Sequence, residues 1–82
     1  MSIRVLLVDD QPLIRVGFAA ILGSAEDIEV VGEAGDGTAA LPLVRQLAPD
    51  VVCMDVQMPG MDGIEATRSI IASGSEAAVL IL

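Results

Sequence analysis

Along these 82 residues, short solid apolar runs trade places with longer stretches whose apolar residues recur at helical spacing. Ile3-Arg4-Val5-Leu6-Leu7-Val8 is β-branched and leucine-rich, broken only by Arg4 and stopped by Asp9-Asp10. That is the pattern of a central parallel strand covered on both faces. Pro12 suits the first turn of a following helix, where its missing N–H costs nothing, and either Asp10 or Gln11 caps it. Leu13, Ile14, Val16, Gly17, Phe18, Ala20, Ile21 and Leu22 make this helix apolar over a wide face, up to Gly23-Ser24. In Ile28-Glu29-Val30-Val31-Gly32-Glu33-Ala34 acids interrupt the apolar residues, which predicts a second strand, partly exposed and near an edge.

Gly35-Asp36-Gly37-Thr38 combines turn and helix-capping chemistry. Ala39, Ala40, Leu41, Leu43, Val44 and Leu47 then predict a second helix, stopped near Pro49. If it starts near Thr38, Pro42 falls at the end of the first turn; if near Asp36, one backbone hydrogen bond is lost and a bend is expected. Val51-Val52-Cys53-Met54 reads as a buried strand ending on a single acid, Asp55, followed by a Pro59-Gly60 turn. Asp62 and Glu65 flank the start of a third helix as a variant of the capping box. On it Ile64, Ala66, Ile70 and Ile71 are expected to face the core, with Thr67 and Arg68 toward water. Ser73-Gly74-Ser75 ends this helix, and Ala77–Leu82 supplies a fourth apolar strand. The order β-α-β-α-β-α-β with short connections predicts a parallel sheet with helices on both faces and right-handed crossovers, its first strand beside its third.

Composition narrows the chemistry. Apolar residues make up 54% of the chain, enough for a dense core. The net charge of −8 disfavours a nucleic-acid contact by these residues, which needs a basic face, and favours a divalent cation or a basic partner. All four basic residues are arginines, and there is no histidine or tyrosine. The single cysteine, Cys53, gives no internal disulfide and reads as a small buried hydrophobe; Met54 reads as packing, as do Met58 and Met61. No apolar run approaches the length of a membrane span and the N-terminus lacks the apolar core of a signal peptide, so the chain is read as cytoplasmic.

With the first and third strands adjacent, Asp9, Asp10 and Asp55 converge on one edge of the sheet. A pair of carboxylates ~4 Å apart repels by about 4 kcal/mol at an effective dielectric near 20, so three call for a counter-ion or a shared proton. Hard oxygen ligands in that number suit Mg²⁺. A carboxylate beside such an ion is a competent nucleophile toward phosphorus. Each piece alone reads more simply: Asp-Asp after a strand as a solvated turn, a lone Asp at a strand end as a turn former.

Val5–Pro12, Val30–Gly37 and Asp50–Gly63 together resemble the receiver domain of bacterial two-component response regulators, of the branch that usually carries a LuxR-type helix-turn-helix output domain. The resemblance covers essentially the whole chain. It implies an α/β, doubly wound, flavodoxin-like sheet of order 2-1-3-4. It also implies that Asp55 accepts a phosphoryl group from a sensor histidine kinase to control an output domain, with DNA reached only through that domain. Mg²⁺ would be bound by Asp10 and Asp55 directly, by Asp9 through water, and by the backbone carbonyl of Gln57. A complete receiver continues with a Ser or Thr, a fifth strand followed by a Lys, and two more helices; residues 1–82 read as a receiver truncated after its fourth strand. An unprotected edge on that strand would favour self-association. Two other classes stay open: a phosphorylation-independent interaction module, and a metal-dependent phosphotransfer enzyme, for which a chain without His, Lys or Tyr offers few acid–base groups.

Overall fold

A parallel four-stranded sheet forms the centre of the computed structural model, which describes residues 2–55 and 63–81. In chain order the elements are β1 (Ile3–Val8), α1 (Pro12–Gly23), β2 (Ile28–Ala34), α2 (Gly37–Leu47), β3 (Val51–Met54), α3 (Gly63–Ala72) and β4 (Ala78–Ile81). The strand order is β2-β1-β3-β4, so β1 and β3 are central and neighbours, as their unbroken apolar character predicts. Val5 through Val8 pair with Val51 through Met54 in even register. Against β2 the register slips between Val5 and Leu6, because Val31 is bulged out before Gly32. The close packing behind that bulge explains the glycine: a Cβ on Gly32 would lie 2.7 Å from Leu47 Cδ1 and 3.3 Å from Leu6 Cδ1.

Alternation along the strands divides the core. Leu6, Val8, Val52 and Met54 point to one face and are buried under Ala40 and Val44 of α2 and Ala66 and Ile70 of α3. Val5 and Leu7 point to the opposite face, where α1 lies against β1 and β2. That second face is thinly covered: no residue of α1 is buried, and Leu13, Val16 and Ile21 are exposed. Cys53 is on this side too and is half-buried rather than fully enclosed.

Two local expectations on α3 change, and the start of α2, open in the sequence, is decided. On α3 only Ala66 and Ile70 reach the core, while Ile64 and Ile71 are exposed. At 3.6 residues per turn Ile64 and Ile71 share a stripe roughly 140° from Ala66 and Ile70, so one sheet face cannot bury both pairs. Thr67 is half-buried, whereas Arg68 faces water. Helix α2 begins at Gly37, capped by Asp36, whose Oδ1 accepts the Ala39 N–H at 2.7 Å; Pro42 therefore sits inside the helix and leaves the Thr38 carbonyl without its intrahelical donor. The Pro59-Gly60 turn, the Asp62 cap, Met58 and Met61 lie outside the described residues.

Candidate functional site

Each acid owes its position to a strand end. Where β1 stops, the Asp9 N–H donates to the Ala34 carbonyl at 3.1 Å, closing β1 onto the tip of β2. Where β3 stops, the Asp55 N–H donates to the Val8 carbonyl at 2.9 Å, closing β3 onto the tip of β1. The chain then turns at Asp10. The Gln11 N–H donates to Asp9 Oδ1 at 2.9 Å, and the Gln11 carbonyl accepts the N–H groups of Ile14 and Arg15 as α1 starts. Gln11 occupies the N-cap position without a side-chain cap, and Asp10 does not take that role; Pro12 supplies the first helical residue.

This arrangement gathers Asp9, Asp10 and Asp55. One carboxylate oxygen from each lies within 4.8 Å of the other two, and all three residues are half-buried. The convergence read from the sequence is thus a property of the fold. Gln57, whose carbonyl was expected to complete the set, lies outside the described residues.

The donor chemistry fits a hard divalent cation. Three carboxylates offer oxygen ligands only, and the chain has no histidine to favour a softer metal. Cys53 is the chain's one thiol, two residues before Asp55, but burial raises its pKa and keeps it protonated, a poor ligand state. A larger cavity of about 490 Å³ lies elsewhere, lined by Arg45, Pro49, Asp50, Ser73 and Glu76 at the opposite ends of the strands. Size therefore does not mark the acid site; the coincidence of strand tips does.

Arg15 was missed by the sequence reading, which took its helix for its apolar face alone. Its Nη1 donates to the Asp9 carbonyl at 2.5 Å, and its Nε lies 3.4 Å from Glu33 Oε1. The signal available was its place one turn beyond the Asp9-Asp10 turn, within reach of it. Arg4, the one polar break in β1, also has its reason: it donates through Nη1 to the carbonyls of Leu47 and Ala48, closing the C-terminus of α2.

The family pattern described as a response regulator receiver domain matches residues 5–82. The chain is 50% identical over 80 residues to the transcriptional regulatory protein LiaR of Bacillus subtilis (strain 168), covering 98% of this chain and 38% of LiaR. It is 51% identical over 80 residues to a protein-glutamate methylesterase/protein-glutamine glutaminase of Nocardioides sp., covering 22% of that protein. Among solved structures, a two-component response regulator of the LuxR family from Aurantimonas sp. SI85-9A1 superposes with a TM-score of 0.93 at 41% identity, over 99% of this chain and 58% of that one. The chain thus spans well under half the length of these curated relatives. One of the two is named as an enzyme, so likeness in this region does not itself decide catalysis.

Proposed function

The chain belongs to the response regulator receiver domain family, and on that footing we propose that it is a phosphoacceptor module in which Asp55 takes a phosphoryl group from a sensor histidine kinase, with Mg²⁺ held by Asp9, Asp10 and Asp55. The observation that carries this reading is the gathering of those three carboxylates, from two separate strand ends, within 4.8 Å. Asp10 and Asp55 would ligate the ion directly and Asp9 through water, with the Gln57 carbonyl completing the protein ligands. When bound, the ion offsets the acids' charge and aligns the incoming phosphoryl oxygens.

Asp55 is the acceptor by its place at the end of β3, the position to which the likeness to receiver domains assigns that role. Its carboxylate oxygen forms the new O–P bond; the N–P bond of the donor phosphohistidine breaks, and its electron pair stays on the imidazole nitrogen. Asp9 and Asp10 place further carboxylates beside the acceptor, and a cation held there would offset their repulsion of an anionic phosphoryl donor. The product is an acyl phosphate on Asp55, a state of the protein rather than a released product. On this reading the role is signalling rather than turnover, supported by the lack of His, Lys and Tyr as acid–base groups in these residues. The response would be read by an output domain outside these residues, DNA-binding by likeness to the LuxR-type relatives, acting in the cytoplasm. No helix among the described residues is long and apolar enough to cross a membrane. Self-association through β4, where Leu80 and Ile81 are exposed among the described residues, is proposed as a further contact of this stretch.

Incubation with acetyl phosphate and Mg²⁺ followed by intact mass measurement tests the assignment. The expected result is a gain of one phosphoryl group, lost in Asp55→Asn. An unmodified parent chain, or equal labelling of the variant, would reject Asp55 as acceptor.

A further inference from the structure

Arg15 is built into the acid site without being an acid. Its guanidinium donates to the Asp9 carbonyl at 2.5 Å, while Nε lies 3.4 Å from Glu33 Oε1, within ion-pair reach but not aligned as a hydrogen bond. Its terminal nitrogen is also 3.6 Å from where a Cβ on Gly35 would stand, so the group lies across the tip of β2. The side chain is only 20% exposed and lines one small pocket together with Leu7, Phe18 and Cys53. One cation thus bridges the tips of β1 and β2 at the turn that presents Asp10.

The carbonyl it holds matters more than the charge it brings. The Asp9 carbonyl belongs to the planar peptide unit that ends at the Asp10 Cα. Holding that oxygen restrains this plane, and the Gln11 N–H bond to Asp9 Oδ1 restrains the next one; together they limit the φ of Asp10 that sets where its side chain leaves the backbone. Asp9 is already held through its N–H by Ala34, and its carboxylate by the Gln11 N–H. Arg15 supplies the third hold. We infer that Arg15 is a positioning residue for the cation site: it aims Asp10 through the Asp9–Asp10 peptide, and Glu33 keeps the guanidinium in place. This inference rests on the Mg²⁺ reading above.

The sign of one substitution separates this role from simple electrostatics. A guanidinium near a cation site repels the ion, so if Arg15 acted only as a charge, its removal would tighten Mg²⁺ binding. If it positions Asp10, its removal weakens binding, roughly tenfold by the measure of residues that support metal ligands.

The experiment is calorimetric titration of the full chain with Mg²⁺ alone, beside Asp10→Asn, Arg15→Ala, Arg15→Lys and Glu33→Gln, each first checked for folding by thermal melting in EDTA. The expected pattern is loss of binding in Asp10→Asn, roughly tenfold weakening in Arg15→Ala, partial recovery in Arg15→Lys, and a weakening in Glu33→Gln smaller than that of Arg15→Ala. Arg15→Ala binding as tightly as the parent, or more tightly, overturns the inference and leaves the proposed function standing. Should Arg15→Ala fail to fold, Arg15→Lys decides, because it keeps the charge and loses only the guanidinium geometry: binding weaker than the parent supports the positioning role and unchanged affinity overturns it. A parent chain that takes up no Mg²⁺ defeats the proposed function, and the inference falls with it.

Discussion

The N–H of Asp55 donates to the carbonyl of Val8 across 2.9 Å, so the acid that ends β3 is registered to the residue just before the acid pair that ends β1. Three carboxylates are thereby held together by backbone pairing rather than by attraction among themselves. Neutralising one of them should therefore cost cation binding yet relieve repulsion. Asp10→Asn is predicted to raise the metal-free protein's stability by about 1 kcal/mol, a figure discounted for half-exposed, solvent-screened charges, while removing Mg²⁺ stabilisation. Urea unfolding in EDTA and in excess Mg²⁺ checks both signs. Equal stability change in the two conditions would contradict the account.

The C-terminus of α2 stores strain at Ala48, whose φ of 45° and ψ of 59° lie in the left-handed region that a Cβ disfavours. Ala48→Gly should stabilise the fold by about 1 kcal/mol, glycine's loss of unfolded-state restriction offsetting part of the relief. The N–H of Ala48 still donates to the Val44 carbonyl, and its own carbonyl still accepts from Arg4. Chemical denaturation reads the change.

Much of the fold is legible in the sequence because the central strands are nearly unbroken apolar runs, the edge strand β2 is marked by the acids that interrupt it, and each turn carries its own chemistry. Asp36 caps α2, Pro12 opens α1, and the apolar character of Val5–Val8 predicts a central position. The convergence of Asp9, Asp10 and Asp55 followed from strand adjacency alone. Other features depended on packing between distant residues. The bulge at Val31 is signalled only by an isolated glycine, Gly32, and nothing local says that Leu47 crowds it. Apolar content did not reveal which side of α3 meets the sheet; the 3.6-residue angle separating Ile64 and Ile71 from Ala66 and Ile70 does. For α1 the pattern shows a broad apolar face but not its cover, and among the described residues Leu13 remains 85% exposed. Arg15 was not singled out in the sequence because its partner is a backbone carbonyl, which no residue pattern encodes.

Core truncation should be severe in so small a domain. Leu6 is fully buried between the sheet and α2. Leu6→Ala is expected to cost about 3 kcal/mol, a large share of what a domain of this size has. Circular dichroism melting measures it; a near-neutral result would show that this face is loosely packed.

Cys53 carries a pH signature. Burial raises its thiol pKa, so the folded protein keeps the thiol neutral above the ordinary value of about 8.5. A raised folded-state pKa contributes stability that is fully present below the unfolded value and is lost as pH rises through the folded one. Stability should therefore fall above about pH 8.5 in the parent and fall less in Cys53→Ala. Alkylation by iodoacetamide at mildly basic pH should be slower folded than in urea. Equal rates would place the thiol in water.

The central claim, that three aspartates from two strand tips form one cation site, is tested most directly by paramagnetic broadening with Mn²⁺, which carboxylate sites take in place of Mg²⁺. In amide spectra of the full chain, substoichiometric Mn²⁺ should broaden Val8, Asp9, Asp10 and Asp55 first and spare Arg4 and Asp50 at the other end of the strands, with excess Mg²⁺ restoring the lost signals. Broadening spread evenly over the acidic surface, or surviving in Asp10→Asn, would contradict a single site at those tips.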